Sequence, residues 1–433
     1  MTQATSTAAH HSAASSVAPE SLVAWSVEVG DPGDLLSWLP AGAAFAFLRG
    51  GDGLVGWGEA ARIGGDGRPG GEQVRTGRQL AAEVEALLAA MTVRDDVGFP
   101  GSGPVAIASL VFDPDATGSV VVVPKVVLGR RDGRSWLTLV TPPGAVEVPA
   151  LRRRPPAAQP SAARLGAAVP AEAVWEQAVA DAVHRLQTAD GLDKVVLARA
   201  LDVEADTTLD PRSLAVRLSE RFPSCFTYVC DGLVGASPEL LVRRTGRQAE
   251  SLVLAGSIRR GASAEEDADL ELALLGSAKD QHEHRLAVES VRLALAGRAL
   301  EVETDPAPHV LRLANISHLA THVQAWLPTP PPSALALAAE LHPTAAVGGT
   351  PREAALEVIR ALEAAPRGRY AGPVGWVDAH GDGEFALALR CAQISGTRAR
   401  LWAGAGVVAE SDPSAEVAET TVKLEAALTG LLG

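Results

Sequence analysis

The chain has 433 residues, 38 of them basic and 52 acidic, giving a formal charge of −14 and a pI near 5.2. That balance, without a basic block, excludes the basic footprint of a nucleic-acid binder, and no apolar run approaches the ~18 residues of a membrane helix. Hydrophobic residues make up 47% of the chain, enough for a large core in one α/β unit or in two or three smaller ones.

Residues 1–20 are rich in Ala, Ser and Thr and have neither a basic start nor an apolar stretch, so they read as a disordered leader, not a signal peptide. From 21 to 150 the pattern is of short apolar runs divided by Gly, Pro and Asp: Ala43–Leu48, Val105–Phe112, Ser119–Val127 and Trp136–Val140 predict strands, with one helix over Val74–Ala90. The Pro- and Arg-rich stretch 151–165 reads as an exposed connector.

Over 166–433 the texture changes. Helices are predicted over Ala171–Thr188, Asp210–Arg221, Glu265–Ala296, Ala334–Ala339, Pro351–Ala364 and Ser414–Leu432, the second opened by the cap and first-turn pair Asp210-Pro211. Strands are predicted over Lys194–Leu201, Phe226–Val229, Gly232–Val234, Val374–Val377, Phe385–Ser395 and Arg400–Val408. Helices and strands come in blocks without strict alternation, which favours an α+β, mixed α/β layered architecture over a doubly wound sheet. Three cysteines, Cys225, Cys230 and Cys391, show no Cys-x-x-Cys spacing, so a reduced cytoplasmic protein is expected.

The basic residues are 34 arginines and only four lysines: Lys125, Lys194, Lys279 and Lys423. Arginine stays protonated at any biological pH, whereas lysine can be tuned to act as a base, so each lysine is a candidate for a place that arginine cannot fill. Lys194 opens an apolar strand and reads either as a desolvated base or as an edge-strand charge. Glu239 also borders an apolar run, and reads either as a general acid with raised pKa or as a solvated acid. Glu416, Glu419 and Lys423 fall on one helical stripe, a solvated ion-pair face or one side of a site. Asp280 and Glu283 form a second carboxylate pair, and two such pairs suit one hard cation such as Mg²⁺. The triplet His282-Glu283-His284 lacks a zinc-site spacing, since alternate residues on a helix point apart.

Several stretches taken in order resemble the chorismate-utilising enzymes. They are Lys194-Val-Val-Leu-Ala-Arg, Ser237-Pro-Glu-Leu-Leu, Leu254-Ala-Gly-Ser, Lys279-Asp-Gln-His-Glu-His, His342-Pro-Thr-Ala-Ala-Val-Gly-Gly-Thr-Pro-Arg, Arg369-Tyr-Ala-Gly-Pro-Val-Gly-Trp and Gly404-Ala-Gly-Val-Val through Lys423. They span about residues 190 to 425, with a looser match over Gly50–Ala60. The resemblance implies a layered fold with the substrate in a cleft between two subdomains, and a monomer whose small-molecule substrate is chorismate. It implies Mg²⁺ held by Glu283 and Glu419, with Asp280 and Glu416 behind them. It places Gly256, Ser257, Ala346, Tyr370, Arg390, Gly404 and Lys423 around the substrate, with Arg390 on the enolpyruvyl carboxylate.

Within the family, Lys194 and Glu239 match the base and acid of the water-adding members. Ala255 stands where aminodeoxychorismate synthases carry a nucleophilic lysine. Ala346 stands where pyruvate-eliminating members carry threonine, as in isochorismate synthases, while Ala345 departs from the proline that relatives commonly have. The resemblance therefore points to isomerisation of chorismate to isochorismate, for quinone or siderophore synthesis, ahead of salicylate formation or non-catalytic binding. Lys279 receives no role from it and is expected at the surface.

Overall fold

The computed structural model describes residues 22–42, 44–65, 74–144, 151–154, 162–188, 191–314 and 316–432. The leader expected over 1–20 and part of the connector, 155–161, lie outside them. Two large sheets carry the fold. In the first, Lys194–Ala205 lies between Ala163–Val169 and Arg398–Val407, and the order continues through Cys391–Ser395, Leu233–Ser237 and Phe226–Cys230 to Ala44–Arg49. In the second, Gln248–Arg259 lies between Ile316–Trp326 and Leu240–Thr245, followed by Gly383–Leu387, Pro373–Asp378 and Val105–Ser109.

The two-residue period of a strand explains how the layers form. In Ala44–Arg49, Phe45 and Phe47 enter a core shared with Trp376 and Phe385 of the second sheet, while Ala46 and Leu48 enter a separate core with Leu214 and Leu218 of a covering helix. The sheets thus pack face to face, and helices cover their outer sides. Pro211–Arg221 lies on Phe226–Cys230 and Leu233–Ser237, and Pro413–Leu432 on Arg398–Val407; Ala278–Ala296 lies on Gln248–Arg259 and Ile316–Trp326. The result is the layered mixed α/β architecture read from the sequence. Among the described residues no helix is long and apolar enough to cross a membrane.

The expected division at 151–165 separates stretches of chain but not sheets. Ala46 pairs with Val229 in the first sheet and Ala108 with Gly375 in the second, so residues on both sides of the division build each sheet. The strand Ala163–Val169 also begins inside the stretch expected as connector.

Three predicted elements are divided. The helix over Glu265–Ala296 is two helices, Ala264–Gly276 and Ala278–Ala296, because Ser277 is extended and its hydroxyl accepts the Asp280 N–H as an N-cap. Ser119–Val127 is interrupted at Pro124, which has no N–H to give a ladder. Phe385–Ser395 contains the crossing between sheets: Gly383–Leu387 belongs to the second and Cys391–Ser395 to the first, with Arg390 at φ 48° between them. Two long strands, Gln248–Arg259 and Ile316–Trp326, were not predicted. They pair with a shift of register between Ala255 and Ser257, where Gly256 takes φ 75°, a bulge conformation glycine adopts without strain.

Candidate active site

Lys194 opens its strand completely buried. The neighbouring strand runs antiparallel and sets Gly406 opposite Val196 and Gly404 opposite Ala198. A side chain at Gly406 would collide with the Glu283 carboxylate and stand 3.1 Å from Lys194 Cε. With glycine there, Glu283 reaches in from Ala278–Ala296 and its Oε1 lies 3.0 Å from Lys194 Nζ. The ammonium is not aligned as a hydrogen bond, so the contact is one of charge. Burial alone would raise the Glu283 carboxyl, but the nearby Lys194, Lys423 and Lys279 hold it below its ordinary value.

The closing helix brings the predicted stripe to the same place. Lys423 Nζ lies 2.6 Å from Glu419 Oε1 and donates to the Gly404 carbonyl at 3.0 Å. Glu416, buried behind them, accepts from Lys279 Nζ at 2.7 Å. Lys279 is therefore the half-buried counter-ion of Glu416, not the surface residue expected from the sequence. Burial, then the Glu419 charge, raises the Glu416 carboxyl against the pull of Lys279, and burial raises Asp280.

Glu239 follows Ser237-Pro238 at the start of Leu240–Thr245 and is 5% exposed. Burial pushes its carboxyl up to about 8, although the Leu254 N–H and the charges of Lys194 and Lys423 pull the other way. A carboxyl so placed is protonated at neutral pH and can give its proton to a leaving group.

These elements line a cleft of about 790 Å³, counting the space at its mouth that is open to solvent. Ten of the thirteen residues picked from the sequence line it: Glu239, Gly256, Ser257, Glu283, Ala346, Tyr370, Arg390, Gly404, Glu419 and Lys423. Lys194, Asp280 and Glu416 do not line it; Lys194 reaches it through Glu283 and Glu416 sits behind Lys279. Arg390 is 7% exposed and Tyr370 stacks on Trp402 at 5.8 Å and 7°.

The lining residues that the sequence did not single out include His318, Arg367 and Trp402. Arg367 donates to the Val196 carbonyl at 2.6 Å and the Val347 carbonyl at 2.8 Å, and Glu363, its ion-pair partner, accepts the Ala198 N–H at 2.8 Å. That buried pair ties the Lys194 strand to the loop of Ala346. Arg367 lies two residues before the motif that opens at Arg369, and the carbonyls that it meets are distant in sequence. His284 is structural: its ring nitrogens meet the Ala255 carbonyl at 3.2 Å and Thr321 Oγ1 at 2.7 Å, which leaves nothing for zinc.

Among the described residues no three His, Cys, Asp or Glu side chains converge as a ready metal cluster. Glu283 and Glu419 instead line one cleft, each against a lysine, with Asp280 and Glu416 close by. The donor chemistry, carboxylate oxygens only, fits a hard divalent cation that keeps water or substrate oxygens in its other positions.

The family model for chorismate binding enzymes matches residues 22–432. The chain is 39% identical over 345 residues to a putative isochorismate synthase, MenF, of Mycobacterium tuberculosis, covering 76% of this chain and 87% of that one. In structure it is similar to a putative 2,3-dihydroxybenzoate-specific isochorismate synthase, DhbC, of Bacillus anthracis, with a TM-score of 0.76, 31% identity and coverage of 92% and 99%. It is also similar to MenF, the menaquinone-specific isochorismate synthase of Escherichia coli, with a TM-score of 0.78, 26% identity and coverage of 95% of both chains. With the motifs in order, the cleft they line and a family match across nearly the whole chain, this protein belongs to the chorismate binding enzyme family.

Proposed function

We propose that this protein is an isochorismate synthase that converts chorismate to isochorismate reversibly. The observation that carries the reading is Glu239: a carboxyl that burial keeps protonated up to about pH 8, in the cleft where Glu283 meets Lys194. The reaction needs such an acid. As water attacks C2, its oxygen bonds to that carbon, the C1=C2 pair moves to C1–C6 and the C5=C6 pair to C4–C5. The C4–O bond breaks in the same step, as the C4–C5 double bond forms, and the oxygen leaves as water only if a proton reaches it. Glu239 supplies that proton, and Lys194 in its neutral form takes one from the attacking water.

The other cleft residues position the substrate. Arg390 offers a guanidinium fork to a carboxylate, the geometry in which arginine binds most firmly. Tyr370, held flat by Trp402, closes the wall beside Gly404. Glu283 and Glu419 are the residues that would hold Mg²⁺, which when bound neutralises and orients a substrate carboxylate. Ala346 leaves the wall without the hydroxyl that pyruvate-eliminating relatives carry, which favours release of isochorismate over salicylate.

The test is to incubate purified protein with chorismate and Mg²⁺ and resolve the products. Isochorismate is expected; salicylate with pyruvate would make it a salicylate synthase, and no turnover a binding protein.

A further inference from the structure

Three cleft side chains outside the acid, base and cation set are joined in a line. Arg390 Nη2 lies 3.1 Å from His318 Nε2, and His318 Nδ1 lies 3.0 Å from Ser257 Oγ. All three line the cleft, and they come from three separate elements: the crossing between the sheets, the strand Ile316–Trp326 and the bulged end of Gln248–Arg259. His318 is 8% exposed. Among the described residues, the other amino group of Arg390 meets the Cys225 thiol at 3.9 Å, and its guanidinium lies over the Phe222 ring at 5.7 Å.

The chemistry of the groups orders the protons along this line. A guanidinium has donors and no acceptor, so His318 Nε2 must present a lone pair to it. The ring is then neutral and its single proton sits on Nδ1, facing Ser257 Oγ. Ser257 accepts that proton's hydrogen bond, which leaves its own hydroxyl hydrogen free to turn into the cleft. Burial, reinforced by the charges of Arg390 and Lys423, pushes the imidazole well below its usual range, while a hydrogen bond with the Gly256 backbone works the other way.

We infer that His318 is a positioning residue, a neutral Nδ1–H imidazole that fixes the Arg390 guanidinium and turns the Ser257 hydroxyl into a donor, so that both present hydrogens to acceptor oxygens of the substrate. This deepens the proposed function and rests on it for the identity of the substrate. An imidazole locked in this way neither titrates nor transfers a proton during the reaction. It makes this end of the cleft a donor-only surface, selective for carboxylate and other oxygen acceptors over ammonium or amide N–H groups.

Two measurements test it. In the full chain labelled with ¹⁵N-histidine, with His318→Gln used to identify the signal, nitrogen shifts near neutral pH are expected to show His318 neutral and protonated at Nδ1. An Nε2–H tautomer or an imidazolium would overturn the inference, with or without any activity toward chorismate. Kinetically, His318→Phe is expected to raise KM for chorismate by about tenfold or more with kcat within about threefold, the loss of an aligned charge-assisted contact. His318→Gln, whose amide oxygen accepts from Arg390, is expected to recover part of that loss. An unchanged KM in His318→Phe would overturn the positioning role, and if that variant does not fold the tautomer decides. If the wild type makes no isochorismate while the Nδ1–H tautomer is found, the reading of substrate fails and the arrangement of His318 stands.

Discussion

Lys194 Nζ lies 3.0 Å from Glu283 Oε1, so the proposed base and a proposed cation ligand are each other's counter-ion. The Glu283 carboxylate therefore fixes the position of the amine that the proposed mechanism uses as its base. Lys194→Ala is expected to lower turnover by about 10²–10⁴-fold, the range for loss of a general base, while chorismate still binds. Product formation and equilibrium binding, measured side by side, check this; full retained activity would remove Lys194 from the mechanism.

Glu239 predicts a pH profile. Its acid form is required, so kcat/KM is expected to fall as pH rises through about 8. Glu239→Gln should lose turnover at every pH while retaining chorismate binding. The same group affects stability with a definite sign. Its folded pKa of about 8 exceeds the ordinary value of 4.5, so the protonated carboxyl contributes fully below about 4.5 and that contribution is gone above about 8. Relative to Glu239→Gln, the wild type should lose stability across that window at up to ~1.4 kcal/mol per pH unit, read by denaturant unfolding. Parallel curves for the two proteins would refute the raised pKa.

Glu419 and Lys423 are paired at 2.6 Å on the closing helix. Glu419→Ala removes a proposed cation ligand and frees the ammonium, so Mg²⁺ dependence and chorismate binding are expected to disappear together. Calorimetric titration with Mg²⁺ measures the first directly. A titration like that of the wild type would dismiss Glu419 as a ligand.

The Glu363–Arg367 pair is nearly out of solvent, with 7% and 2% of its side chains exposed. Glu363→Gln leaves Arg367 charged without its counter-ion and is expected to cost about 3–5 kcal/mol, as breaking buried pairs does. Activity should fall as well, since Arg367 links Val196 to Val347 across the cleft wall. A stability change within about 0.5 kcal/mol, the range of an ordinary surface change, would show the pair to be dispensable.

Much of this site was legible because its chemistry is written in local patterns. The i, i+3, i+4 and i+7 spacings of a helix put Glu416, Glu419 and Lys423 on one stripe, and Asp210-Pro211 announced a helix start. Lysine scarcity was informative beyond expectation: Lys194, Lys279 and Lys423 each face one of the proposed acidic residues, and only Lys125 is an exposed lysine without such a partner. What escaped depends on contacts distant in sequence. The apolar run through Leu387–Arg390 has no Gly or Pro to mark the passage between sheets, and alternation along Ile316–Trp326 does not say that His318 faces a cleft. Arg367 could not be read because its acceptors, Val196 and Val347, meet it only after the sheet and the loop have packed.

Gly406 gives the sharpest separation of fold from site. Its strand partner is Val196, and its missing side chain is the space that Glu283 occupies. In Gly406→Ala the new methyl would overlap the end of the Glu283 side chain and lie 2.9 Å from its Cδ, so the carboxylate must swing away from Lys194. The obstacle is the end of a side chain with rotamers available, not backbone, so the sheet can stay intact. The variant is therefore expected to unfold within about 1–2 kcal/mol of the wild type yet bind Mg²⁺ and turn over chorismate far more weakly. Unfolding curves, Mg²⁺ titration and product assay on one preparation decide it. Normal Mg²⁺ binding with normal turnover would mean that the position of Glu283 against Lys194 is not what the site depends on.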